Sequence, residues 1–262
     1  MNLYKNKTIL ITGASSGIGE VFAKRLNEYG AKLVLTARSE DKLLKMASKM
    51  NDAHVIAGDL SKKEFSKELY NRVKEKNLNV DILINNAGFG YSGKFLDSTM
   101  ENYDEMINLN IVSLVHLTHL FLKDMIKNKQ GGIINISSLA SFQPIPYFSI
   151  YAATKAFVTS FTLSLYEEYR DMNIRVLGVC PGYTKTNFNK RAQMSSKPVA
   201  GYLMTSQEVV DESLKAYKKG KFIIVNGKIN RFAKLFTSLI PKKWGLKMAS
   251  SIIKKGMSNN QW

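Results

Sequence analysis

Residues 7–19 read KTILITGASSGIG, an apolar strand-like run that passes directly into a glycine-rich turn and a helix-forming segment. Gly13, Gly17 and Gly19 let the main chain turn tightly and approach a pyrophosphate, which would sit at the amino end of the following helix. The spacing is G-x-x-x-G-x-G rather than G-x-G-x-x-G, and a glycine cluster alone could be only a strand–helix turn. Its place between a strand and a helix favours a dinucleotide-binding loop.

Strand-like and helix-like segments alternate along the rest of the chain. Continuous apolar runs predict strands at 7–12, 31–37, 54–59, 80–86, 131–138, 174–180 and 221–225. Helical periodicity occupies 17–30, 39–50, 61–77, 100–127, 148–170 and 206–219, with Ser61 and Glu64 forming a capping box at the start of the third helix. Strands that are apolar throughout need cover on both faces, so the pattern predicts a doubly wound, seven-stranded parallel sheet. No linker divides the chain, which indicates one domain over 1–262 with a helical extension at 228–262.

Composition narrows the class of protein. The 262 residues carry a net charge of +17, of which 187–262 supply +12 from fifteen basic and three acidic residues. Such charge makes a nucleic-acid surface worth considering, but no helix-turn-helix, zinc or RNA-stacking signature is present. The single cysteine, Cys180, and the three histidines form no metal-ligand pattern, so we expect no bound metal. The lone cysteine and the lack of a signal peptide or an apolar run of about 18 residues predict a cytoplasmic protein.

The second predicted strand ends in TARSE, where Arg38 follows Ala37 and precedes Ser39. A site for NAD usually places an acidic residue here to bind the ribose 2′-hydroxyl, whereas arginine matches a 2′-phosphate. A solvated surface arginine is the alternative. The position favours NADP over NAD.

The segment YAATK (151–155) places a tyrosine and a lysine four residues apart on one face of a helix. An adjacent ammonium favours a phenolate, so Lys155 is expected to lower the pKa of Tyr151 from its usual value of about 10. Taken alone, the pair favours an ordinary amphipathic helix that carries an aromatic residue and a solvated lysine. The rest of the chain decides between the two.

Five motifs occur in one order: TGASSGIG (12–19), NNAG (85–88), the ISS serine Ser138, YAATK and PGYTKT (181–186). In that order and spacing, over about residues 5–226, the chain resembles the short-chain dehydrogenase/reductase family. The resemblance implies a Rossmann-like domain that transfers hydride between a nicotinamide and a carbonyl or secondary alcohol. It also implies a catalytic set of Asn110, Ser138, Tyr151 and Lys155, with Tyr151 as the general acid/base.

The resemblance assigns further roles residue by residue. Lys155 would also bind the nicotinamide ribose, Ser138 would polarise the substrate oxygen, and Asn110 would hold a water that resupplies protons. Cofactor contacts are implied for Gly13, Ser15, Ser16, Gly17, Ile18, Gly19, Arg38, Ser39, Asp59, Leu60, Asn86, Ala87, Gly88, Tyr151, Lys155, Pro181, Gly182, Thr184 and Thr186. Thr184 stands where the family more often has an aliphatic residue, which weakens that single assignment.

Two segments are expected to choose the substrate: the substrate loop 187–205 and the stretch 89–97, both mixing aromatic and polar residues. They suit a medium-sized apolar carbonyl without selecting one. A protein that only binds NADP, or a basic protein that binds nucleic acid, is the alternative class. Intact Ser138, Tyr151 and Lys155 favour the enzyme.

The last segment of the chain is basic and amphipathic. Apolar residues recur at helical spacing from Ile229 to Ile240, Pro241 interrupts them, and a second stripe begins at Trp244 among lysines. Such helices either pack on the protein or a neighbouring subunit, or lie on an anionic membrane. The family resemblance and the long helices at 100–127 and 148–170 also predict a homodimer or homotetramer.

Overall fold

The computed structural model describes residues 2–194 and 203–256, and it shows one parallel sheet with helices on both faces. The strands are β1 (Thr8–Thr12), β2 (Lys32–Thr36), β3 (Ala53–Val55), β4 (Ile82–Asn85), β5 (Gly131–Ile136), β6 (Ile174–Cys180), β7 (Thr184–Lys185), β8 (Met204–Thr205) and β9 (Ile223–Val225). The helices are α1 (Gly17–Glu28), α2 (Glu40–Ala47), α3 (Phe65–Glu75), α4 (Met100–Ile107), α5 (Ser113–Lys127), α6 (Ser149–Tyr169), α7 (Phe188–Arg191), α8 (Ser206–Lys218), α9 (Lys228–Leu239) and α10 (Lys242–Gly256).

The seven-stranded sheet has the order β3-β2-β1-β4-β5-β6-β9, with every neighbouring pair parallel. This confirms the predicted doubly wound sheet. The chain leaves β1 toward one side for β2 and β3 and returns to the other side for β4, so the order reverses between β1 and β4. Ligands of such sheets bind at the carboxyl ends of the strands beside this reversal.

Side chains of β1 show why both faces of the sheet are apolar. Ile9 and Ile11 enter a core with Phe22 of α1, whereas Leu10 enters the opposite core with Phe121 of α5. Successive strand residues point to opposite faces, so a strand covered on both sides needs an apolar residue at each position. The continuous apolar run follows directly from that placement.

Helix α3 corrects the predicted capping box. The helix begins at Phe65, and the residue at its N-cap position is Glu64, not Ser61. Glu64 has a helical main-chain conformation instead of the extended one that is usual for a capping residue. The main-chain N–H and the hydroxyl of Ser61 donate to Oδ1 of Asp59, at 3.0 and 2.8 Å. The serine side chain is therefore engaged by the preceding turn, where an aspartate acceptor two residues away competes with the cap. Strand β3 and helix α2 are also shorter than predicted.

The predicted helix 100–127 is continuous, but it contains one π-helical turn at Asn108–Val112 between α4 and α5. In the part of the chain that the structure describes, Met100–Lys127 is the one helix long and apolar enough to cross a membrane by length and composition alone. Leu117, Phe121 and Met125 are buried in the core against the sheet. A helix buried in the core of a soluble protein can meet the same criteria of length and composition as a helix that crosses a membrane.

Candidate active site

The predicted site residues gather at the carboxyl edge of the sheet. Gly13–Gly19 follow β1, Arg38 and Ser39 follow β2, Asp59 and Leu60 lie beyond β3, Asn86–Gly88 follow β4, Ser138 follows β5, and Pro181–Thr186 follow β6. Tyr151 and Lys155 are on α6, and Asn110 is in the π-helical turn. Parallel strands bring their carboxyl ends to one edge, and the fold thereby assembles residues that are far apart in sequence.

The glycine loop is held against the end of β4. Gly13 and Gly17 have φ values of +64° and +60°, which side chains other than glycine rarely adopt. A Cβ at Gly19 would collide with the carbonyl oxygen of Gly13 and the amide of Asn86. The amide of Asn86 donates to the carbonyl oxygen of Thr12 at 2.8 Å, so this side chain shapes the loop.

Helix α1 offers an open amino end beside this loop. Ser16 precedes the helix in an extended conformation, but its side chain makes no capping hydrogen bond. The first N–H groups of an α-helix have no partner within the helix, and they carry a partial positive charge. A helix end without a side-chain cap, approached by a glycine loop, fits the pyrophosphate of a dinucleotide.

The residues after β2 and β3 lie where the adenosine end of the dinucleotide cofactor is expected. Arg38 is exposed, and its Nη1 lies 3.4 Å from Oε1 of Glu105 on α4. Burial alone would raise the pKa of Asp59, but hydrogen bonds from Ser61 and the nearby charge of Arg38 hold it below its usual value. Leu60 is buried in the core, so any contact with an adenine would come from its main chain.

Tyr151 and Lys155 lie one helical turn apart at the centre of the cleft, both buried. Nζ of Lys155 donates to the carbonyl oxygen of Ile136 at 2.9 Å and lies 5.7 Å from the centre of the Tyr151 ring. The hydroxyl of Ser137 donates to the carbonyl oxygen of Lys155 at 2.8 Å and fixes α6 to the end of β5. The position of Lys155 therefore depends on the strand that precedes Ser138.

Burial dominates the protonation of this pair. Removal from water raises the pKa of Tyr151 to about 12, while a hydrogen bond with Ser138 acts in the opposite direction. Removal from water also lowers the pKa of Lys155 to about 8, because an ammonium loses more solvation than an amine. The expectation that the pKa of Tyr151 is lowered is thus wrong for this conformation, because desolvation raises it and the contact that acts in the opposite direction is with Ser138.

Ser138 and Asn110 complete the group on either side of Tyr151. Ser138 lies at the end of β5, where its hydroxyl accepts from the N–H of Ala140 at 3.1 Å. The amide of Asn110 donates to Thr154 at 3.0 Å and to the carbonyl oxygen of Phe89 at 2.9 Å, and Oδ1 accepts from the N–H of Phe89. Both N–H donors of Asn110 are used within the protein, which leaves one lone pair of Oδ1 as an acceptor for a water.

The segment after β6 lies over the glycine loop. A Cβ at Gly17 would come within 3.2 Å of the Thr186 methyl group, so the two loops are in contact. Oγ1 of Thr184 donates to the carbonyl oxygen of Gly182 at 3.0 Å, and Oγ1 of Thr186 accepts from the N–H of Phe188 at 3.2 Å. These loops close the two sides of the cleft around the place expected for a nicotinamide.

Aromatic residues that the sequence did not single out enclose Tyr151. The ring of Phe148 lies 4.4 Å and that of Phe188 5.2 Å from the Tyr151 ring, measured between centroids. Phe188 belongs to the predicted substrate loop, of which residues 195–202 lie outside the described part of the chain. The mixture of aromatic residues in that loop was the available signal for Phe188, but nothing local indicated that Phe148 would reach the same ring.

The two predicted substrate segments meet. The hydroxyl of Ser92 donates to the carbonyl oxygen of Ala192 at 2.7 Å, and the guanidinium of Arg191 lies 3.6 Å from the centre of the Phe89 ring. These contacts join 89–97 to the start of 187–205 beside Tyr151. Among residues 2–194 and 203–256, no group of three or more His, Cys, Asp or Glu side chains is placed to hold a metal ion.

Comparison with known proteins agrees with this geometry. The family model described as short chain dehydrogenase matches residues 7–197. An uncharacterized oxidoreductase of Staphylococcus epidermidis is 34% identical over 203 residues, covering 75% of this chain and 88% of that protein. The very-long-chain 3-oxoacyl-CoA reductase of Anas platyrhynchos is 36% identical over 197 residues, which cover 71% of this chain and 62% of the relative.

Solved structures show the same architecture. A short-chain dehydrogenase from Sphingobium yanoikuyae in complex with NADPH has a TM-score of 0.80 at 31% identity, covering 90% of this chain and 97% of that one. A short-chain dehydrogenase/reductase from Burkholderia phymatum in complex with NAD has a TM-score of 0.80, covering 90% of this chain and 94% of the other. At 22% identity, the latter shows a common fold alone.

Proposed function

We propose that this chain, which belongs to the short-chain dehydrogenase/reductase family, is an NADP(H)-dependent enzyme that interconverts a carbonyl and a secondary alcohol. The observation that carries the proposal is the meeting of Ser138, Tyr151 and Lys155 beside a glycine loop with an open helix end. Family membership supports an oxidoreductase, and the finer choices of cofactor and substrate rest on particular residues of this chain.

The cleft fits a nicotinamide dinucleotide on its own features. Gly13, Gly17 and Gly19 have no side chains, so a pyrophosphate can approach the main chain beside the amino end of α1. Lys155 and the segment from Pro181 to Thr186 would hold the nicotinamide end. When bound, the cofactor supplies or accepts the hydride.

Tyr151 is the proposed general acid in carbonyl reduction. It would donate its phenolic proton to the substrate oxygen as negative charge develops there. With a pKa raised to about 12, the phenol stays protonated at neutral pH and holds the proton to be given. The hydroxyl of Ser138 would donate to the same oxygen and orient it.

Lys155 is proposed to act on Tyr151 and on the ribose. As an ammonium it favours the phenolate left after proton transfer, although its own burial opposes that charge. Asn110 is proposed to hold, through the remaining lone pair of Oδ1, the water that returns a proton through Lys155. Phe148 and Phe188 exclude solvent around Tyr151, which strengthens these electrostatic interactions.

NADP(H) is proposed over NAD(H) because of Arg38. The side chain stands beyond β2, where a ribose 2′-phosphate would lie, and an arginine there can bind the phosphate with two parallel hydrogen bonds. The NADPH held by the Sphingobium yanoikuyae relative supports the same choice.

We also propose a cytoplasmic homodimer or homotetramer that contacts an anionic membrane at its periphery and binds no nucleic acid. For the substrate, the apolar surroundings of Tyr151 support a medium-sized carbonyl. One of the relatives is named a very-long-chain 3-oxoacyl-CoA reductase, and this name supports a substrate whose carbonyl lies on an apolar chain.

A carbonyl panel tests the activity. Purified protein is mixed with NADPH and a series of ketones, aldehydes, steroid-like and 3-oxo lipid compounds, and the loss of NADPH absorbance is followed with Tyr151→Phe as the control. We expect at least one compound to be reduced by the wild type only. A protein that binds NADPH but reduces nothing would favour the alternative class, which salt-dependent retention on DNA would then examine.

A further inference from the structure

Helix α9 presents its apolar side to solvent and its polar side to the protein. Phe232 and Leu239 are 71% and 76% exposed, and Ile229 and Phe236 on the same side are also exposed. Asn230, on the inward side, is buried. Surface helices of soluble domains normally bury the apolar side. The idea that this stripe packs on the protein's own sheet is therefore wrong for α9.

Helix α10 extends the exposed apolar surface. It contacts the protein through Ala249 and Ile253, which are buried, whereas Trp244 is 69% exposed. Met248 and Ile252 are exposed beside Trp244 at helical spacing. We call the exposed set Ile229, Phe232, Phe236, Leu239, Trp244, Met248 and Ile252 the apolar stripe. An exposed patch of this extent marks an interaction surface.

The helices that carry the apolar stripe lie beside the segment that joins Ser138 to α6. Nζ of Lys234 lies 4.5 Å from the centre of the Phe142 ring, and Nζ of Lys254 lies 5.2 Å from that of Tyr147. Phe142 and Tyr147 belong to the segment that joins Ser138 to α6. A Cβ at Gly182 would collide with the amide of Asn230, so α9 also lies against the end of β6. Both helices thus flank the loops from which Ser138 and Tyr151 are presented.

Charge identifies the partner. Residues 228–256 contain eight basic residues and no acidic residue. A second copy docked through the same surface would bring two such clusters together, which is unfavourable. An anionic bilayer complements the charge, accepts the apolar side chains, and suits a tryptophan at its boundary.

We propose that α9 and α10 dock on the surface of an anionic lipid bilayer, and that the enzyme takes a lipid-like carbonyl substrate from that bilayer. The second half of the proposal rests on the proposed oxidoreductase activity. Docking would place the segment with Phe142 and Tyr147, which leads from Ser138 to α6, near the lipid interface, where an apolar substrate is concentrated.

Vesicle binding tests the docking surface on the full chain. Co-sedimentation is measured with vesicles of phosphatidylcholine alone and with vesicles that also contain phosphatidylglycerol. We expect binding to the anionic vesicles, weakened by salt, and a blue-shifted Trp244 emission in a Trp262→Phe background. Wild-type protein that stays in the supernatant with anionic vesicles at low salt overturns the proposal.

Two pairs of variants separate apolar from electrostatic contributions. The change Phe232→Ser with Leu239→Ser should weaken binding about tenfold or more, since it removes two side chains from the interface. Its control is Leu44→Ser with Met172→Ser, two exposed apolar residues elsewhere, which should bind like the wild type. Lys242→Glu with Lys243→Glu should also weaken binding about tenfold or more, whereas Lys62→Glu with Lys63→Glu, the same charge change on another exposed pair, should lower it much less.

The remaining outcomes are also decisive. Equal vesicle binding by the Phe232/Leu239 variant and the wild type overturns the role of the apolar stripe. A shift of that variant from oligomer to monomer in light scattering, without vesicle binding by either protein, assigns the surface to a second copy and overturns the proposal.

Substrate delivery is tested by activity on the same variants. Reduction of a long-chain 3-oxo lipid held in anionic vesicles should fall at least severalfold in the Phe232/Leu239 variant. Reduction of a short, water-soluble ketone should stay unchanged. Equal rates on the lipid overturn delivery from the bilayer. Vesicle binding does not depend on turnover. If no compound of the carbonyl panel is reduced, the proposed function is refuted, but the vesicle-binding result can still be interpreted.

Discussion

Arg191 on α7 donates from Nη2 to Oε1 of Glu105 on α4, although 86 positions separate the two residues. The same oxygen of Glu105 lies 3.4 Å from Nη1 of Arg38. One carboxylate therefore contacts both the arginine proposed to bind a 2′-phosphate and an arginine near the start of the substrate loop. The cofactor end and the substrate end of the cleft are joined through α4.

Arg38→Asp should shift cofactor preference from NADPH toward NADH, because it removes the phosphate partner and installs a carboxylate that can accept from a ribose hydroxyl. We expect the ratio of kcat/KM for NADPH to that for NADH to fall by about tenfold or more. Lys42→Asp makes the same charge change on an exposed residue of α2 and should leave the ratio nearly unaltered. Equal wild-type affinity for both cofactors would contradict the role of Arg38.

Glu105→Gln should tighten NADPH binding, since the carboxylate competes with a 2′-phosphate for Arg38. Exposed ion pairs contribute up to about 1 kcal/mol, so the Kd for NADPH should fall by at most about fivefold. Binding of NADH should not change in the same way, which makes it the internal control in a fluorescence titration. Weaker NADPH binding in the variant would show that Glu105 instead supports the site through Arg191.

Tyr151→Phe should abolish turnover and preserve NADPH binding, because the ring keeps its contacts with Phe148 and Phe188 while the proton donor is lost. The rate should fall by at least about a hundredfold in the NADPH-oxidation assay. Tyr166→Phe, on the same helix but packed against Phe222, is the matched control and should retain activity. Near-wild-type rates for Tyr151→Phe would overturn the mechanism.

Lys155→Met should lose both activity and cofactor affinity while making the cofactor-free protein more stable at pH 7. Burial lowers the pKa of Lys155 from 10.5 to about 8, so the folded protein holds this proton less readily than the unfolded chain. Below pH 8 both states are protonated and the folded state carries the full cost of a buried ammonium. Removing that cost should raise the free energy of unfolding by on the order of 3 kcal/mol, less the contribution of the lost hydrogen bond to Ile136.

The pH dependence of this gain has a definite sign. Between pH 8 and 10.5 the unfolded chain still binds the proton that the folded protein has released, so wild-type stability rises with pH and the advantage of the variant shrinks. Urea unfolding at pH 7 and at pH 10 measures both quantities. A gain that is the same at the two pH values would contradict the buried-ammonium argument.

Phe157→Asp should dissociate the expected homo-oligomer. Phe157 is exposed on α6 and stacks on Phe161 with ring centroids 5.8 Å apart, on a helix proposed to form the subunit interface. A carboxylate buried between subunits without a partner is strongly unfavourable. Light scattering at micromolar concentration checks the mass, with Leu44→Asp on α2 as the control. A wild-type protein that is monomeric at that concentration would refute the oligomer itself.

The sequence determined the features that depend on neighbouring residues. Continuous apolar runs such as 7–12 and 174–180 predict buried parallel strands. Gly13 and Gly17 were predicted to let the main chain turn tightly, and both adopt positive φ. The order of the motifs predicted which residues would gather at one edge of the sheet. Local backbone conformation and side-chain periodicity are sufficient for these inferences.

Only the tertiary structure decided how distant segments meet. The predicted cap Ser61 instead donates its hydroxyl to Asp59. The pKa of Tyr151 is raised by burial, which its position beside Lys155 in the sequence did not predict. The pairing of Glu105 with Arg191, and the outward face of α9, likewise have no local signature. Desolvation and long-range contacts are set by which surfaces pack together, and the sequence pattern of one segment does not contain its neighbours in space.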